Sequence, residues 1–457
     1  MPEWLPDGSE LLLRREDRIR SSVELLAADP TTGSTRTILS EEGRASFVTL
    51  VAGGEQLIWT SERDGWSHLY LYDLHGTLIH RLTRGAYPVL AGAHMTVPER
   101  AVIGVDEADG WVYFRAQGDP GRPYDVHLYR VRLDGSGLER LTDQPGFHDI
   151  RLSPSKEFYL DTHSSLVRPP KTELRRSDGT LLQTVSQASV EAEAADGWVP
   201  PEEFTVKAAD GVTDLHGVLF RPPEFDPDNT YPVVEYIYAG PWTTIVPRRF
   251  DDFTVGEAQW LAGMGAAVFI VDGRGTPGRG RAFEDVVLGS LGRREIPDHV
   301  ATLQAVARER PYMDTRRVGV FGGSWGGYFA LRAMLLAPDV YHVGVAYAPA
   351  SDPSEGWADY VEPYLGLPED APEAYEYASN TRLAGNLEGE LLLIHGTGDV
   401  EVPWAGTMRM ADALIRAGKY FDLIALPDED HYVFRGRSAS YLREAVRRHF
   451  MRHLLPS

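Results

Sequence analysis

The chain has 457 residues, 43% of them hydrophobic, which allows two or three domains with a sizeable core. Its 45 basic and 67 acidic residues give a net charge of −22, which argues against nucleic acid as a partner because phosphate binding requires basic patches. Cysteine is absent, which excludes disulfides and thiolate metal sites, and the sequence predicts no metal and no cofactor.

The N-terminal residues 1–8 contain neither a basic segment nor an apolar run of the kind that begins a secretory signal. No later run approaches the length of a membrane span. We therefore expect a soluble cytoplasmic protein that has no membrane partner.

Residues 1–190 show short β-rich runs separated by Gly, Asp and Pro, without long helical periodicity. Four similar units follow one another at 4–39, 56–83, 110–142 and 150–179. The middle two each contain His-Leu-Tyr and later Leu-Thr. A repeat of about forty residues with four short strands is typical of a β-propeller blade. The prediction is an all-β partial propeller of about four blades, with a β-sandwich as the alternative.

Residues 191–203 are polar and predict a linker, and the pattern changes in residues 204–457. Apolar strands there alternate with amphipathic helices, which predicts a doubly wound, mostly parallel sheet covered on both faces. Such a sheet binds ligands at the carboxyl ends of its strands. The predicted strands are 233–238, 267–271, 318–321, 343–347, 391–395 and 421–426, with helices at 297–309 and 404–417 among them.

The segment Gly322-Gly323-Ser324-Trp325-Gly326 lies between a predicted strand and an apolar helix. This G-x-S-x-G pattern at a strand-to-helix turn is typical of the nucleophile of an α/β-hydrolase. Glycine on both sides gives a strained serine the space it needs. The alternative is a glycine-rich turn with an incidental serine.

A serine nucleophile needs an imidazole that takes its proton and a carboxylate that orients the imidazole. In α/β-hydrolases these residues follow in the order Ser, Asp, His. Asp399 comes just after the predicted strand 391–395, and His431 just after 421–426. We therefore predict a catalytic triad of Ser324, Asp399 and His431.

Five other side chains compete for these roles or lie beside them in sequence. His395 is an alternative base, since it ends a predicted strand, and Asp352 is an alternative acid, since it follows one. Asp428 and Asp430 are too close to the base in sequence and are expected to bond the loop backbone. Asp272 is expected to shape a turn with its neighbouring glycines.

The tetrahedral intermediate of acyl transfer needs two hydrogen-bond donors for its oxyanion. The backbone N–H of Trp325, the residue after the nucleophile, is one candidate. Tyr238 is the other, because it ends a predicted core strand on the same edge of the sheet. The alternative for Tyr238 is a core tyrosine without a catalytic role.

The chain resembles the prolyl oligopeptidase superfamily of serine peptidases, and within it the dipeptidyl peptidase IV branch. The motifs that carry the resemblance are SERDGW and HLY at 61–70, YAGP at 238–241, DGRG at 272–275, GGSWGGY at 322–328, YLGLP at 364–368, HGTGD at 395–399 and DEDH at 428–431. It implies a propeller that precedes an α/β-hydrolase domain, with the triad and Tyr238 in the roles given above. It also implies cleavage of short peptides, often after Pro or Ala, and frequent homodimers.

The resemblance implies that substrate contacts Trp357, Tyr360, Glu401 and Val402. A second tyrosine of the family's proline pocket is replaced by Gly356. At the position of Glu401 the family usually has an asparagine that touches substrate carbonyls, and a carboxylate cannot donate that hydrogen bond.

The family's branch also carries a paired-glutamate motif that holds the substrate's ammonium group. The pair Glu41-Glu42 lacks the aromatic neighbours of that motif, and we expect it to be a solvated turn. Three hypotheses follow from these departures. The first is a dipeptidyl peptidase-like serine peptidase, the second an acylaminoacyl peptidase or esterase, and the third a non-catalytic interaction module.

Overall fold

The structure is a computed structural model that describes residues 2–43, 47–90, 101–191 and 198–454. It divides into two compact units. The first comprises Met1–Ser189, Arg248–Phe250 and Pro277–Glu284, and the second Val190–Pro247, Asp251–Thr276 and Asp285–Ser457. Residues 192–197 of the predicted linker lie outside the described residues.

The first unit contains four antiparallel sheets of four strands each, within the described residues, and each sheet pairs its strands in chain order. The first two sheets consist of β1 (Glu3–Trp4), β2 (Leu11–Glu16), β3 (Ser22–Ala28), β4 (Thr35–Glu42), β5 (Val48–Val51), β6 (Gln56–Ser61), β7 (His68–Asp73) and β8 (Leu78–Arg81). The next two consist of β9 (Val102–Asp106), β10 (Trp111–Ala116), β11 (His127–Arg132), β12 (Glu139–Arg140), β13 (Phe147–Leu152), β14 (Phe158–Ser165), β15 (Arg168–Arg176) and β16 (Leu181–Gln187). The predicted partial propeller is thereby confirmed.

Buried side chains fill the space between successive sheets. Leu25 of the first sheet and Trp59 of the second share one apolar cluster. Leu71 of the second sheet and Phe114 of the third share another. Alternate residues of a strand point to opposite faces, so a sheet between two others buries both of its faces. The near-continuous apolar runs in β6 and β7 follow from this packing.

The recurring His-Leu-Tyr and Leu-Thr segments make the same contact in two sheets. His68 Nδ1 lies 3.0 Å from Thr83 Oγ1, and His127 Nδ1 lies 3.0 Å from Thr142 Oγ1. In each case the threonine hydroxyl also accepts the N–H of the leucine that follows the histidine. The repeat therefore encodes a buried polar contact that joins the third strand of a sheet to the segment after its fourth strand.

The expectation of a solvated turn at Glu41-Glu42 is wrong. Strand β4 continues through both residues, and the Glu41 carboxylate accepts hydrogen bonds from the Trp59 indole at 2.9 Å and from the Ser61 hydroxyl. Arg63 forms an ion pair with the same carboxylate at 2.7 Å. Trp59 and Ser61 belong to β6 of the second sheet and Arg63 follows that strand, so Glu41 connects two neighbouring sheets.

The second unit contains one eight-stranded sheet in the order β17-β18-β20-β19-β21-β22-β23-β24 within its described residues. Its strands are β17 (Glu202–Lys207), β18 (Asp214–Phe220), β19 (Tyr231–Tyr236), β20 (Ala267–Val271), β21 (Met313–Gly323), β22 (Val343–Tyr347), β23 (Glu390–Gly396) and β24 (Asp422–Leu426). β18 pairs in antiparallel orientation with both of its neighbours, β17 and β20. All the remaining pairings of the sheet, from β20 to β24, are parallel. This is the predicted α/β-hydrolase sheet.

Helices accompany this sheet along the chain. They are α1 (Phe253–Ala262), α2 (Arg281–Glu284, which belongs to the first unit), α3 (Glu295–Glu309), α4 (Trp325–Leu336), α5 (Ala358–Leu365), α6 (Pro372–Ala378), α7 (Trp404–Arg416) and α8 (Ala439–His453). Strand β20 is buried along its whole length, as expected for a sheet covered on both faces. Among the described helices, none combines the length and the apolar character that crossing a bilayer requires.

Candidate active site

Ser324 lies at the turn between β21 and α4. Its backbone has φ 57° and ψ −121°, a strained conformation for a residue with a side chain. Its N–H donates to Tyr347 O of the neighbouring strand at 2.9 Å, and its carbonyl accepts the Tyr328 N–H at 3.0 Å. Hydrogen bonds on both sides therefore fix the turn and hold the serine at the carboxyl end of the sheet.

The glycines around Ser324 are required by close backbone contacts. A Cβ atom on Gly322 would lie 2.2 Å from Gly326 O, and a Cβ on Gly326 would lie 2.4 Å from Ile237 O. Both distances are far below van der Waals contact with backbone atoms that cannot rotate away. The G-x-S-x-G spacing thus follows from the approach of strand, turn and helix.

Asp399 and His431 lie in two different loops and meet at hydrogen-bond distance. His431 Nδ1 is 2.7 Å from Asp399 Oδ2, and both side chains are largely buried. Asp399 follows β23 and His431 follows β24, which are adjacent parallel strands. The carboxylate therefore contacts the Nδ1 side of the imidazole and leaves Nε2 for a reacting group.

Four groups donate to or contact the Asp399 carboxylate. Its Oδ1 accepts the N–H groups of Glu401 at 2.9 Å and Val402 at 2.8 Å, and its Oδ2 lies 3.2 Å from His395 Nε2. Burial alone would raise the pKa of Asp399, but hydrogen bonds from His395, His431 and Val402 outweigh it and hold the pKa well below its usual value. Asp399 is therefore ionised at neutral pH.

His395, the alternative base, is fully buried and supports this loop. Its Nδ1 lies 2.7 Å from Thr407 Oγ1, and its Nε2 lies 2.9 Å from Val402 O as well as near the Asp399 carboxylate. Both ring nitrogens are therefore engaged with the loop and with α7.

Tyr238 lies next to Ser324. It follows the end of β19 by two residues, where the sequence predicted that it would end the strand. Its phenol interacts with the Ser324 side chain, which acts to lower the pKa of Tyr238. Burial raises the pKa of Tyr238 to about 12, so the phenol keeps its proton at neutral pH and is able to donate.

Aromatic side chains surround the first turn of α4. The Trp325 ring stacks on Trp242 with ring centroids 3.9 Å apart, and Trp357 meets Trp325 edge-on at 5.9 Å. The Trp242 indole donates to the backbone carbonyl of Tyr360 at 3.1 Å, and the Tyr360 side chain is half-exposed. Trp357 and Tyr360, which were expected to contact substrate, therefore lie together with Trp325, which was expected to supply an oxyanion donor.

Glu401 lies within the same group of residues. Its backbone carbonyl accepts the Trp357 indole N–H at 2.6 Å, and its carboxylate accepts the Tyr432 hydroxyl at 3.3 Å. Its charge also acts to raise the pKa of the Tyr238 phenol. Val402 is buried, and its N–H belongs to the Asp399 loop.

The competing aspartates are engaged elsewhere. Asp352 accepts the Ser354 N–H at 2.9 Å and also contacts Ser379, so it organises the loop after β22. Asp430 accepts the Tyr432 N–H at 2.9 Å, as expected for a loop residue. Asp272 accepts the N–H groups of Ile245 and Val246.

Sequence reasoning missed three features of this site. Trp242, Tyr432 and the contact of His395 with Asp399 were not predicted. Trp242 directly follows the Tyr-Ala-Gly-Pro segment of Tyr238, and Tyr432 directly follows His431, so proximity to known motifs was the available signal. Two groups of described residues could hold a metal ion, and neither includes a residue of this site.

Comparison with known families matches most of the chain in two parts. Residues 252–456 match the Prolyl oligopeptidase family. Residues 1–170 match the Dipeptidyl peptidase IV (DPP IV) N-terminal region. The two matches correspond to the regions in which the sequence predicted a hydrolase and a propeller.

Individual relatives carry related names. Dipeptidyl peptidase 8 of Mus musculus is 32% identical over 363 residues, which cover 77% of this chain and 40% of the relative. Dipeptidyl-aminopeptidase B of Aspergillus niger is 32% identical over 380 residues, which cover 81% of this chain and 40% of the relative. The crystal structure of Porphyromonas gingivalis dipeptidyl peptidase 4 superposes with a TM-score of 0.86 at 27% identity and covers 98% of this chain and 62% of that one. The chain therefore spans about two-fifths of the length of these curated relatives.

Proposed function

The chain belongs to the prolyl oligopeptidase family, and on that premise we propose that it is a serine peptidase acting through an acyl-enzyme on Ser324. The observation that carries the proposal is the 2.7 Å contact of His431 Nδ1 with Asp399 Oδ2, at the same edge of the parallel sheet as a strained serine at a strand-to-helix turn. This is the pairing that an alcohol needs to become a nucleophile.

In the proposed reaction, the Ser324 hydroxyl attacks the carbonyl carbon of the scissile bond while its proton passes to His431 Nε2. The imidazolium then gives this proton to the departing amine as the peptide C–N bond breaks. Water repeats the two steps on the acyl-enzyme and releases the acid. Asp399 stays ionised throughout and stabilises the imidazolium, which its low pKa supports.

The oxyanion of the tetrahedral intermediate is held by two donors in this proposal. The Trp325 N–H is one of the first N–H groups of α4, which have no intrahelical acceptor. The Tyr238 hydroxyl is the other, and the interaction of its phenol with the Ser324 side chain supports a position beside the reacting atoms.

Short peptides are the proposed substrates, with release of dipeptides after Pro or Ala as the leading specificity. The printed names of the relatives and the match to the DPP IV N-terminal region support this choice. An acylaminoacyl peptidase or esterase is the second candidate, favoured by two observations. The Glu41 carboxylate is occupied by Trp59, Ser61 and Arg63, and the Glu401 carboxylate accepts the hydroxyl of Tyr432, the residue after His431.

A fluorophosphonate probe tests the chemistry directly. We expect it to label the purified chain and not Ser324→Ala, whereas Ser290→Ala, which changes another serine of the same unit, labels normally. Turnover should fall by about 10⁴-fold or more in Ser324→Ala. Equal labelling of the wild type and Ser324→Ala refutes the proposal, and absence of labelling in both proteins leaves the non-catalytic interaction module.

Three substrates separate the specificities. Free-amine Xaa-Pro anilides, N-blocked anilides and short acyl esters are compared at equal enzyme concentration. Preference for the free amine supports the dipeptidyl peptidase, whereas preference for the blocked anilide or the ester supports the second candidate. The homodimer and the cytoplasmic location expected from the sequence stay predictions, to be checked by the solution mass and by cell fractionation.

A further inference from the structure

A separate cluster of titratable side chains lies at the end of α8. His449 and His453 are four residues apart, so their imidazoles lie on one face of the helix with ring centroids 5.0 Å apart. Asp422, the first residue of β24, faces them. The ligand atoms of these three residues all lie within 4.8 Å of one another.

A carboxylate that could serve as a fourth ligand is close by. Glu390, the first residue of β23, has its carboxylate 3.8 Å from His453 Nδ1, and Asp422 has its carboxylate 3.8 Å from His449 Nδ1. Both carboxylates are largely exposed, so an ion can reach them from solvent. In the described part of the chain, neither is paired with a lysine or arginine that would compete with a metal ion.

One ring nitrogen of the buried His449 side chain lacks a hydrogen-bond partner within the described part of the chain. Its side chain is only 4% exposed, and its Nε2 has no hydrogen-bond partner among the described residues.

We propose that Asp422, His449 and His453 form a binding site for a divalent transition-metal ion such as Zn²⁺. Two imidazoles and a carboxylate suit zinc and its neighbours, whereas Ca²⁺ and Mg²⁺ select oxygen ligands. Glu390 or water completes the coordination. Ligand atoms about 2.0–2.2 Å from a tetrahedrally coordinated ion lie roughly 3.4 Å from one another. The ligand atoms here lie within 4.8 Å of one another, so small side-chain rotations would bring them to that distance.

The position of the cluster also favours a cation. The two histidines lie in the last turns of α8, where the helix carries partial negative charge. A second group, Asp161, His163 and Glu173, is less suited, because Lys171 and Arg175 already pair with the Glu173 carboxylate. The two clusters differ because, in the second one, these lysine and arginine side chains would compete with a metal ion for the carboxylate.

Metal binding here joins the C-terminal helix to two neighbouring strands of the sheet. Glu390 and Asp422 begin β23 and β24, while Asp399 and His431 follow the opposite ends of these strands. The seven residues of β23 separate the two ends by about 20 Å. We therefore expect the ion to raise stability without entering the peptidase chemistry, whichever outcome the test of Ser324 gives.

Calorimetric titration of the EDTA-treated full chain with ZnCl₂ tests the site, with Co²⁺ as a visible spectroscopic probe. We expect one Zn²⁺ per chain at this site, a tetrahedral Co²⁺ spectrum, and a thermal midpoint raised by about 2 °C or more at a hundredfold excess over Kd. Fluorophosphonate labelling of Ser324 should be unchanged by the bound ion.

Two variants and a control make the result specific. His453→Gln and Asp422→Asn should each weaken Zn²⁺ binding at least tenfold and remove the gain in thermal midpoint. His75→Gln, which changes an exposed histidine in the turn after β7, should bind like the wild type. Asp422 is exposed, so its variant keeps the test valid if His453→Gln misfolds. Absence of the Co²⁺ spectrum in the wild type, or unchanged binding in both variants, overturns the proposal.

Discussion

At the scale of single residues, Tyr238 tests how the oxyanion is stabilised. Its pKa of about 12 keeps the phenol protonated, and removal of one oxyanion donor typically costs 10²–10³ in rate. We predict that Tyr238→Phe lowers kcat by about 10²–10³ and leaves KM nearly unchanged, because the bond forms mainly in the transition state. Steady-state kinetics on the best of the three substrates measures both parameters.

A matched control removes another hydroxyl of the same site. Tyr432→Phe deletes the donor that reaches Glu401 and should change kcat far less. A similar loss in the two variants would show that Tyr238 acts only by packing.

The residues of the site differ in how far the sequence predicts them. Ser324, Asp399 and His431 each follow a strand, and parallel strands bring such positions to one edge, so local pattern and chain order suffice to propose them. The structure brings Asp399 and His431 together as expected. The contact of Tyr432 with Glu401 joins two loops 31 positions apart, and only the packed structure supplies that distance.

At the scale of elements, the turn between β21 and α4 depends on Gly326. A Cβ at this position would meet Ile237 O at 2.4 Å, so Gly326→Ala forces the strand and helix apart. Overpacking of this kind costs about 1–3 kcal/mol and should also displace Ser324. We predict a lower free energy of unfolding and a large loss of fluorophosphonate labelling.

Gly256 provides the comparison for that substitution. It lies in α1, is exposed, and has open space where a Cβ would be. Gly256→Ala should stabilise the protein by about 0.5–1 kcal/mol, since glycine disfavours helix interiors. Urea unfolding compares the two variants, and a Gly326→Ala protein as stable and reactive as Gly256→Ala would contradict the steric argument.

Strand bounds show where hydrophobic pattern is informative. The bounds of β20 and β22 were predicted to the residue, because both strands are continuous apolar runs. Strand β21 begins at Met313, five residues before its predicted start, because its first part is polar. Strand β4 extends through Glu41 since that carboxylate has partners in the next sheet, which no local pattern reveals.

At the scale of the whole molecule, the fold was predictable because similar sequence units repeat in the first part of the chain and strands alternate with helices in the second. Four units of similar order gave the four sheets, and the change to alternating strands and helices gave the hydrolase sheet. The sequence could not reveal which polar residues of the first unit would be buried. Glu173 is such a residue, since its side chain is 3% exposed and its partners Lys171 and Arg175 lie on the same strand.

Glu173 in the first unit and Asp399 in the second make stability depend on pH in the acid range. Burial alone would raise the pKa of Glu173, but hydrogen bonds from Lys171 and Arg175 outweigh it and lower the pKa to about 2. Because the pKa of this carboxyl is lower in the folded protein than its value of about 4.3 in the unfolded chain, its ionisation stabilises the fold at pH values above about 4.3. This stabilisation is lost as the pH falls from there toward about 2. We predict that the thermal midpoint drops across this window.

Glu173→Gln separates this effect from general acid denaturation. The variant should be less stable than the wild type at pH 7, because Lys171 and Arg175 lose their shared carboxylate, and the difference should shrink as pH falls toward about 2. Glu107→Gln, which removes an exposed carboxylate of the same unit, should follow the wild-type curve at every pH. Thermal unfolding followed by circular dichroism at several pH values measures all three proteins. A difference that stays constant, or grows on acidification, would show that the charge of Glu173 is not what stabilises the first unit.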